Sequence, residues 1–177
     1  MRILGIDPGT IRMGFGVVDE TDGEPAFVAC GVLTARAKDP IDQRLLKLHA
    51  QLSDVLRQYE PDAVAVEEPF VVQAPRRSAM AVGEARAIAL LAAAQASRPV
   101  AQYTPTKVRA TVTDYGGSDK EQTRAMVGLL LGRPFDDVSL DACDALAVAI
   151  CHQRQSRLGE LLAEQESAPP VPSRRPR

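Results

Sequence analysis

The chain opens with Arg2-Ile3-Leu4-Gly5-Ile6-Asp7-Pro8-Gly9-Thr10, and this stretch decides the fold. The apolar residues from Ile3 to Ile6 do not alternate with polar ones, a pattern typical of a strand buried on both faces. Asp7 ends the strand, because Pro8 lacks a backbone donor and Gly9 permits the tight turn that follows. Ligands of open α/β sheets bind at the carboxyl ends of the central strands. We therefore expect the carboxylate of Asp7 to lie in a ligand site.

Length and composition indicate a single globular domain. The chain has 177 residues, of which 45% are hydrophobic, enough to build one sizeable core. No apolar run reaches the roughly 18 residues that span a bilayer, and the N-terminus lacks the order of a signal peptide. We therefore expect a cytoplasmic protein that does not associate with membranes. The three cysteines lack CxxC spacing, which favours reduced thiols over a disulfide or a zinc site.

The next segments predict a strand meander followed by a helix and a parallel strand. Two β-rich runs, residues 14–18 and 26–33, flank an Asp22-Gly23 turn signal and form a hairpin with it. Asp39-Pro40 predicts the N-cap and the first position of an amphipathic helix. The short apolar strand of residues 63–66 comes next. A right-handed crossover places this strand parallel to the first one.

Two glutamates end this second buried strand, and one of them is expected to stand beside Asp7. Periodicity alone does not decide between Glu67 and Glu68, because both faces of the strand look buried. A hint favours Glu67, which shares its strand face with the small residues Ala63 and Ala65. Small residues on one face let a covering helix approach closely.

The second half of the chain is predicted to be mainly helical. An Ala-rich segment over residues 77–97 favours a helix by propensity. Internal packing is the simpler role for its stripe of small and apolar residues, and a close helix-to-helix dimer contact is the alternative. This stripe includes Met80, Gly83 and Ala87. A strand and two helices follow, over residues 99–103, 104–112 and 120–131.

The last predicted helix carries two acids in its first turns. Ser139 is the expected N-cap, and Asp141 and Asp144 are spaced so that both project from one face. Acids in these turns commonly interact with the helix dipole, which is the simpler explanation of the pair. The C-terminal segment is rich in Pro, Ser and Arg without apolar periodicity, which is typical of disorder. We expect a folded domain over residues 1–158 and a largely disordered tail over residues 159–177.

Basic residues are concentrated in the middle of an otherwise acidic chain. The formal net charge is −2, which by itself argues against a nucleic-acid partner. Residues 71–135, however, hold nine basic and four acidic side chains, whereas residues 1–70 hold seven and twelve. Scattered solvated charge is the simpler explanation. The alternative is a surface that binds a polyanion, with basic positions that include Arg76, Arg77, Lys107, Arg109 and Lys120.

Four acids have structural reasons to converge: Asp7, Glu67, Asp141 and Asp144. Crowded carboxylates raise one another's pKa unless cations neutralise them. Oxygen ligands alone select hard ions such as Mg²⁺ or Mn²⁺. Two such ions about 4 Å apart can activate a water and stabilise the leaving oxygen of a displacement at phosphorus. This chemistry needs a polyanionic substrate, and the basic middle segment supplies groups that could bind one.

Five stretches of sequence are distinctive when they are taken together. They are Gly5-Ile6-Asp7-Pro8-Gly9-Thr10, Val66-Glu67-Glu68-Pro69-Phe70, Gly83-Glu84-Ala85-Arg86, Lys120 and Asp141-Ala142-Cys143-Asp144-Ala145-Leu146-Ala147. In order and spacing, from residue 1 to about residue 155, they resemble the RuvC family of Holliday junction resolvases. The resemblance implies an α/β, ribonuclease H-like fold, in which helices flank a five-stranded mixed sheet.

The same resemblance implies an endonuclease that resolves Holliday junctions in homologous recombination and DNA repair. A homodimer would nick two strands of like polarity symmetrically, with two Mg²⁺ or Mn²⁺ ions in each active site. RuvA and RuvB, the branch-migration proteins, would be its partners. The four acids match the family's catalytic and metal-binding positions. Phe70 matches an aromatic that stacks on a base, Arg109 and Lys120 match DNA-contacting positions, and the helix around Gly83 matches the dimer helix.

The chain departs from the family pattern at a few positions. Glu68 adds an acid beside Glu67, Pro69 stiffens the loop that follows, and Arg109 stands where a lysine is expected. Some relatives carry histidine at the position of Asp141. The resemblance therefore leaves the choice between Mg²⁺ and Mn²⁺ open.

Three other functions fit parts of the sequence. The opening strand and turn also resemble the first phosphate loop of actin-like and sugar-kinase ATPases, but nothing after residue 71 repeats the opening hairpin, as a second lobe would require. A ribonuclease H-like nuclease acting on RNA would leave the Phe70 loop and the dimer helix without a purpose. A metal-free module that only binds junctions would leave four clustered acids without cations, which is unfavourable.

Overall fold

A computed structural model describes the backbone of residues 1–68 and 76–167 and the side chains of residues 1–68 and 80–163. Within these residues the chain forms five strands and five helices. The strands are β1 (Arg2–Asp7), β2 (Arg12–Thr21), β3 (Glu24–Thr34), β4 (Ala63–Glu67) and β5 (Val100–Tyr103). The helices are α1 (Ile41–Tyr59), α2 (Arg76–Gln95), α3 (Pro105–Thr113), α4 (Lys120–Leu130) and α5 (Leu140–Ser167).

The strands form a mixed sheet with the order β3-β2-β1-β4-β5. Neighbours among β1, β2 and β3 are antiparallel, whereas β4 pairs in parallel with both β1 and β5. Asp22 and Gly23, at the turn between β2 and β3, have φ angles of 53° and 81°, as a tight hairpin turn requires. The predicted meander, hairpin and parallel crossover are therefore confirmed, and β1 is the central strand.

Helices cover both faces of the sheet. On one face, buried residues of α1 and α2 pack against Leu4 and Ile6 of β1. On the other face, α3, α4 and α5 pack around Ile3 of β1 and Ala65 of β4. Side chains alternate between the two faces along a strand. The ends of β1 and β4 therefore direct the acids at positions 7 and 67 toward the face covered by α5.

α5 lies close to the sheet because glycines occupy the strands beneath it. A Cβ atom added at Gly5 would lie 2.1 Å from the backbone oxygen of Ala145, and one added at Gly16 would lie 2.6 Å from the backbone nitrogen of Leu146. Both obstacles are backbone atoms of α5, which cannot move without moving the helix. Glycine at these positions therefore fixes the height of α5 above β1 and β2.

The start of α1 differs from the sequence prediction. Pro40 is the N-cap residue, and the helix begins at Ile41 without a side-chain cap hydrogen bond. The prediction that Asp39 caps this helix is therefore wrong. The backbone N–H of Asp39 donates instead to the carbonyl oxygen of Arg36 at 3.0 Å, which holds Asp39 in the preceding turn.

The C-terminal helix is longer than the sequence predicts. α5 continues to Ser167, past the predicted domain boundary at residue 158. Residues 168–177, where the tail was expected to be disordered, lie outside the described residues, so the division of the chain stays a prediction. Among the described helices none is long and apolar enough to span a membrane. The cysteines are free, as expected.

Candidate active site

Asp7 and Glu67 end two neighbouring parallel strands. β1 and β4 pair in register up to the residue before each acid, so the two carboxylates stand side by side at the same edge of the sheet. The hint in favour of Glu67 over Glu68 is confirmed by their surroundings. Glu68 belongs to the other side of the strand end, where its Oε1 lies 3.6 Å from Nη2 of Arg86 on α2.

The first turns of α5 bring two further acids to this edge. Ser139 caps the helix as predicted, since its Oγ accepts a hydrogen bond from the backbone N–H of Ala142 at 3.3 Å. A Cβ atom added at Gly14 of β2 would lie 1.9 Å from the carbonyl oxygen of Asp141, so the helix starts directly above that strand. This contact places Asp141 and Asp144 near the end of β1.

A small pocket of about 80 Å³ lies between the strand ends and helices α3, α4 and α5. Its lining includes three of the predicted acids, Asp7, Glu67 and Asp144, together with the basic residues Arg109 and Lys120. The fourth acid, at position 141, lies outside this lining. A volume of this size suits small ions or a single polar group rather than a large organic ligand.

The two strand acids have strongly raised pKa values. Burial raises the pKa of Asp7 to about 8, and the negative charges of Glu67 and Asp144 add to the effect, while Lys120 opposes it. Burial likewise raises the pKa of Glu67 to about 7, with a further contribution from Asp144 and opposition from Lys120 and Arg109. The basic residues in the pocket therefore do not balance its acids, and the site favours additional positive charge.

Basic side chains pair with the two helix acids. Lys120 Nζ donates to Oδ2 of Asp144, and Arg12 Nε donates to Oδ2 of Asp141 at 2.6 Å. Burial disfavours the charged form of Lys120, but the hydrogen bond to Asp144 and the negative charges of Asp144, Asp7 and Asp141 together outweigh it, so the pKa of Lys120 is raised. Sequence reasoning misses Arg12 altogether, because its partner is 129 residues away and no local pattern signals the pair.

The predicted DNA-binding residues occupy different places. Arg109 and Lys120 line the pocket, and Nε of Arg109 is buried without a hydrogen-bond partner among the described residues. Lys107 is exposed on α3. Arg76 and Arg77 begin α2, but their side chains are not among those described, and Phe70 lies outside the described residues.

Other basic residues of the middle segment are engaged away from the pocket. Arg124 forms an ion pair with Glu121 one turn earlier on α4. The guanidinium of Arg133 lies 4.6 Å from the ring centroid of Phe27. The segment with the positive net charge is therefore not one continuous basic surface, and only part of it faces the acids.

α2 presents an exposed face of small and apolar side chains. Met80 and Leu91 are 67% and 49% exposed, Ala87 is exposed between them, and a Cβ atom added at Gly83 would meet nothing within 4 Å. The opposite face of α2, which includes Ala85, is buried in the core. The three residues predicted for a dimer contact, at positions 80, 83 and 87, thus share the outward face.

The acids of the pocket have the chemistry of a site for hard divalent cations. All their donor atoms are carboxylate oxygens, and burial together with the neighbouring acids raises the pKa values of Asp7 and Glu67, so a bound cation would favour their charged forms. Within the part of the chain that the structure describes, no three ligating side chains are already arranged to hold a metal ion. In keeping with this, Asp141 and Asp144 are each turned to a basic side chain. The four acids therefore fit such ions, provided that Asp141 and Asp144 exchange their basic partners, Arg12 and Lys120, for the ions.

Comparison with known proteins identifies similar sequences over nearly the whole chain. The family model described as "Crossover junction endodeoxyribonuclease RuvC" matches residues 3–152. A protein of that name from Roseiflexus sp. (strain RS-1) is 48% identical over 151 residues, which cover 85% of this chain and 89% of the relative. Another, from Dehalococcoides mccartyi (strain ATCC BAA-2100 / JCM 16839 / KCTC 5957 / BAV1), is 44% identical over 164 residues, 93% of this chain and 98% of the relative.

Solved structures give the same result. Thermus thermophilus RuvC in complex with a Holliday junction substrate superposes with a TM-score of 0.82 at 33% identity, over 90% of this chain and 96% of that one. The yeast mitochondrial Holliday junction resolvase Ydc2 has a TM-score of 0.62 at 15% identity, over 93% of this chain and 83% of that one, which shows a shared fold. The predicted ribonuclease H-like fold is therefore confirmed.

Proposed function

The chain belongs to the RuvC family of crossover junction endodeoxyribonucleases, and from this premise we propose that it resolves Holliday junctions in homologous recombination and DNA repair. The observation that carries the proposal is the pocket at the ends of β1 and β4, where Asp7, Glu67 and Asp144 lie beside Arg109 and Lys120. The Thermus thermophilus relative, solved with a Holliday junction substrate, supports four-way junction DNA as the substrate. The reaction is hydrolysis of a phosphodiester bond.

A RuvC-type nuclease depends on a divalent metal, and we propose Mg²⁺ or Mn²⁺, with two ions in each site. The residues that would hold them are Asp7, Glu67, Asp141 and Asp144. Bound there, such ions activate a water molecule and stabilise the leaving oxygen. The positive charge of such ions would oppose the burial and the neighbouring negative charges that raise the two pKa values, so Asp7 and Glu67 would hold the ions as carboxylates.

Lys120 and Arg109 have the positions to hold the scissile phosphate. Nζ of Lys120 forms a hydrogen-bonded ion pair with Asp144. If Asp144 held a cation, the Lys120 ammonium would be free to donate a hydrogen bond to a phosphate oxygen beside the pocket. Nε of Arg109 is a further buried donor at the same wall, and charge-assisted hydrogen bonds of this kind are strong and orient the phosphate.

The other contacts with DNA are proposed from the family resemblance and from charge. Phe70 would stack on a base near the crossover, where bases are unstacked more easily than in a duplex. Arg76, Arg77 and Lys107 would contact phosphates of the junction arms, since each is a basic residue outside the pocket.

We propose that the active form is a homodimer that joins through the exposed face of α2, with Met80, Gly83 and Ala87 in the contact. Small residues let two helices approach closely, and burying the exposed Met80 side chain supplies hydrophobic free energy. A two-fold dimer presents two equivalent sites, which accounts for symmetric nicks in two strands of like polarity. RuvA and RuvB are the proposed functional partners, and the cytoplasm is the proposed location.

The test is cleavage of a labelled mobile four-way junction beside a linear duplex of the same sequence, with Mg²⁺ and with Mn²⁺. We expect paired nicks in the junction alone, and the ion that gives the faster rate identifies the metal preference. The matched variant Asp7→Asn should bind the junction with the wild-type affinity but cut it roughly 100-fold or more slowly, because changes even at the partners of metal ligands cost 10–100-fold.

Two results would contradict this proposal. Retained cleavage by Asp7→Asn would remove Asp7 from the mechanism. The absence of junction cleavage with either ion, from a folded dimer, would overturn the activity itself. RNA–DNA hybrids and then ATP would next be offered as substrates, because they represent the alternative functions.

A further inference from the structure

The loop between α3 and α4 holds an exposed aromatic side chain. Tyr115 is 68% exposed, and its loop joins the two helices that carry Arg109 and Lys120 into the pocket wall. The loop also packs against α3, since a Cβ atom added at Gly116 would lie 2.8 Å from Cγ2 of Thr106. Tyr115 therefore lies on the loop that directly connects two of the helices lining the candidate active site.

The backbone that carries this ring is firmly held. The carbonyl oxygen of Tyr115 accepts from the backbone N–H of Ser118 at 3.3 Å and lies within hydrogen-bond distance of two hydroxyls, 2.9 Å from Oγ1 of Thr113 and 2.7 Å from Oγ of Ser118. Ser118 is only 4% exposed, and its hydroxyl lies 2.6 Å from that of Thr113. This rigid turn lowers the entropy that the chain loses when the ring binds a partner.

The ring itself is oriented by a glycine. A Cβ atom added at Gly117 would lie 2.7 Å from Cζ of Tyr115, so the aromatic ring packs over the glycine backbone while most of its surface meets solvent. Large aromatic residues that are rigid and exposed are efficient binding groups, because they have few rotatable bonds.

The charges around the ring favour a base over a phosphate. Asp114 and Asp119 flank the loop in sequence, and Asp119 uses its carboxylate to cap α4 by accepting from the backbone N–H of Gln122 at 2.8 Å. A phosphate would be repelled by these two acids, whereas the face of a nucleobase carries no net charge. The basic groups that attract the DNA lie farther in, at the pocket wall.

We propose that Tyr115 is a binding residue for an unstacked nucleobase of the junction, next to the phosphate that is cut. The inference rests on the proposed function, and it adds a second stacking position to that of Phe70. A base at the crossover point is partly unstacked and can lie on the ring, whereas the bases of a linear duplex are already stacked on one another. Tyr115 would therefore contribute to the preference for junctions.

The test uses the absence of tryptophan from the chain. The variant Tyr115→Trp carries a single tryptophan, and stacking on a base should quench its fluorescence by about half or more. The titration is made without divalent ions, so that the junction stays whole, and fluorescence anisotropy of a labelled junction reports binding independently. The matched control is Leu158→Trp, which also carries a single tryptophan, on α5 at a position that is 50% exposed.

We expect the tryptophan at position 115 to be quenched by the four-way junction and not by the duplex, while the control is quenched by neither. Tyr115→Ala should weaken junction binding about five-fold or more, in line with the effect of removing a stacking ring, and Tyr115→Phe should remain within two-fold of wild type. A tryptophan at 115 that is not quenched by a bound junction, or is quenched equally by the duplex, would overturn this inference alone. Failure of the wild-type chain to bind the junction would overturn the proposed function first.

Discussion

At the scale of single residues, the site is defined by two carboxylates that prefer to keep their protons. The pKa values of Asp7 and Glu67, about 8 and about 7, lie far above the ordinary values of 3.8 and 4.5. The folded chain therefore binds these two protons more tightly than the unfolded chain does. This tighter proton binding contributes to the free energy of unfolding. The contribution is fully present when the pH is below the ordinary pKa values, and it is lost as the pH rises through the pKa values of the folded chain.

The melting temperature of the metal-free protein should consequently fall between roughly pH 4 and pH 8, and we expect the fall to be about 5 °C or more. Asp7→Asn should show a smaller fall, because the amide has no proton to lose, and saturating Mg²⁺ or Mn²⁺ should offset the fall in the wild type. Calorimetric melting across this range measures the effect. Asp54→Asn, at an exposed carboxylate of α1, is the control, and an Asp7→Asn slope equal to that of the wild type would contradict the assignment.

The ion pair between Arg12 and Asp141 leads to a prediction about metal affinity. A divalent ion that uses Asp141 must displace Arg12, whose side chain is 53% exposed, and a pair of this kind is worth up to about 1 kcal/mol. Arg12→Gln should therefore bind Mn²⁺ up to about five-fold more tightly in calorimetric titration. Arg57→Gln, which removes an exposed ion pair with Asp54 on α1, should bind as the wild type does. Weaker binding by Arg12→Gln would mean that Arg12 positions Asp141 for the metal.

At the scale of elements, the contact between α5 and the sheet decides where the helix acids lie. The nearest atoms that a Cβ would meet at Gly5, Gly14 and Gly16 are backbone atoms of α5, which cannot move aside on their own. A methyl group at any of them would lift the helix and separate its acids from those of β1 and β4. Stability and geometry of the site are thus set by the same contact.

Gly16→Ala tests this contact. We expect it to lower the free energy of unfolding by about 2–3 kcal/mol, because overpacking against an immobile backbone is costly, and to lower the cleavage rate of the protein that still folds. Gly159→Ala on α5, where an added Cβ meets nothing within 4 Å, should instead stabilise the helix by up to about 1 kcal/mol. Urea unfolding of both variants gives the comparison, and equal stabilities would show that α5 can shift without penalty.

Element by element, the sequence predicts what depends on local pattern and misses what depends on packing. The strand ends at Asp7 and Glu67, the Asp22-Gly23 turn and the Ser139 cap all follow from residues within a few positions of one another. The prediction that Asp39 caps α1 is wrong because an Asp before a proline can also belong to the preceding turn, as the hydrogen bond from its backbone N–H to Arg36 shows. Gly14 and Gly16 are visible in the sequence, but only the placement of α5 reveals why glycine is needed there.

At the scale of the whole molecule, the exposed face of α2 is where two chains are expected to meet. Ala87→Asp would bury an unpaired charge in that contact, which costs enough to weaken a dimer roughly 100-fold or more. Light scattering after gel filtration should show a monomer, and paired nicking should be lost. Ala50→Asp makes the same change at an exposed position of α1 and should leave a dimer. A dimeric Ala87→Asp would move the interface to another surface.

The charge distribution is informative only when it is combined with the fold. Arg109 and Lys120 of the basic middle segment line the pocket. Arg124 and Arg133 of the same segment instead contact Glu121 and Phe27, away from the pocket. A count of charges cannot separate these groups, because the separation depends on which helix face each residue occupies. The ion pair of Arg12 with Asp141 is hidden from the sequence for the same reason, since it links the beginning of the chain to its last helix.

This link between the two ends of the chain has a consequence for synthesis on the ribosome. β1 and β2 emerge before α5, so the helix that covers them is missing until the residues of α5 have also emerged, and contacts between such distant segments form late in folding. A truncated product that stops before Asp141 has only half of the four acids and lacks the helix that covers Gly5, Gly14 and Gly16 on one face of the sheet. The candidate site is therefore complete only after α5 has been synthesised, and we expect fragments that stop before this helix to show no junction cleavage.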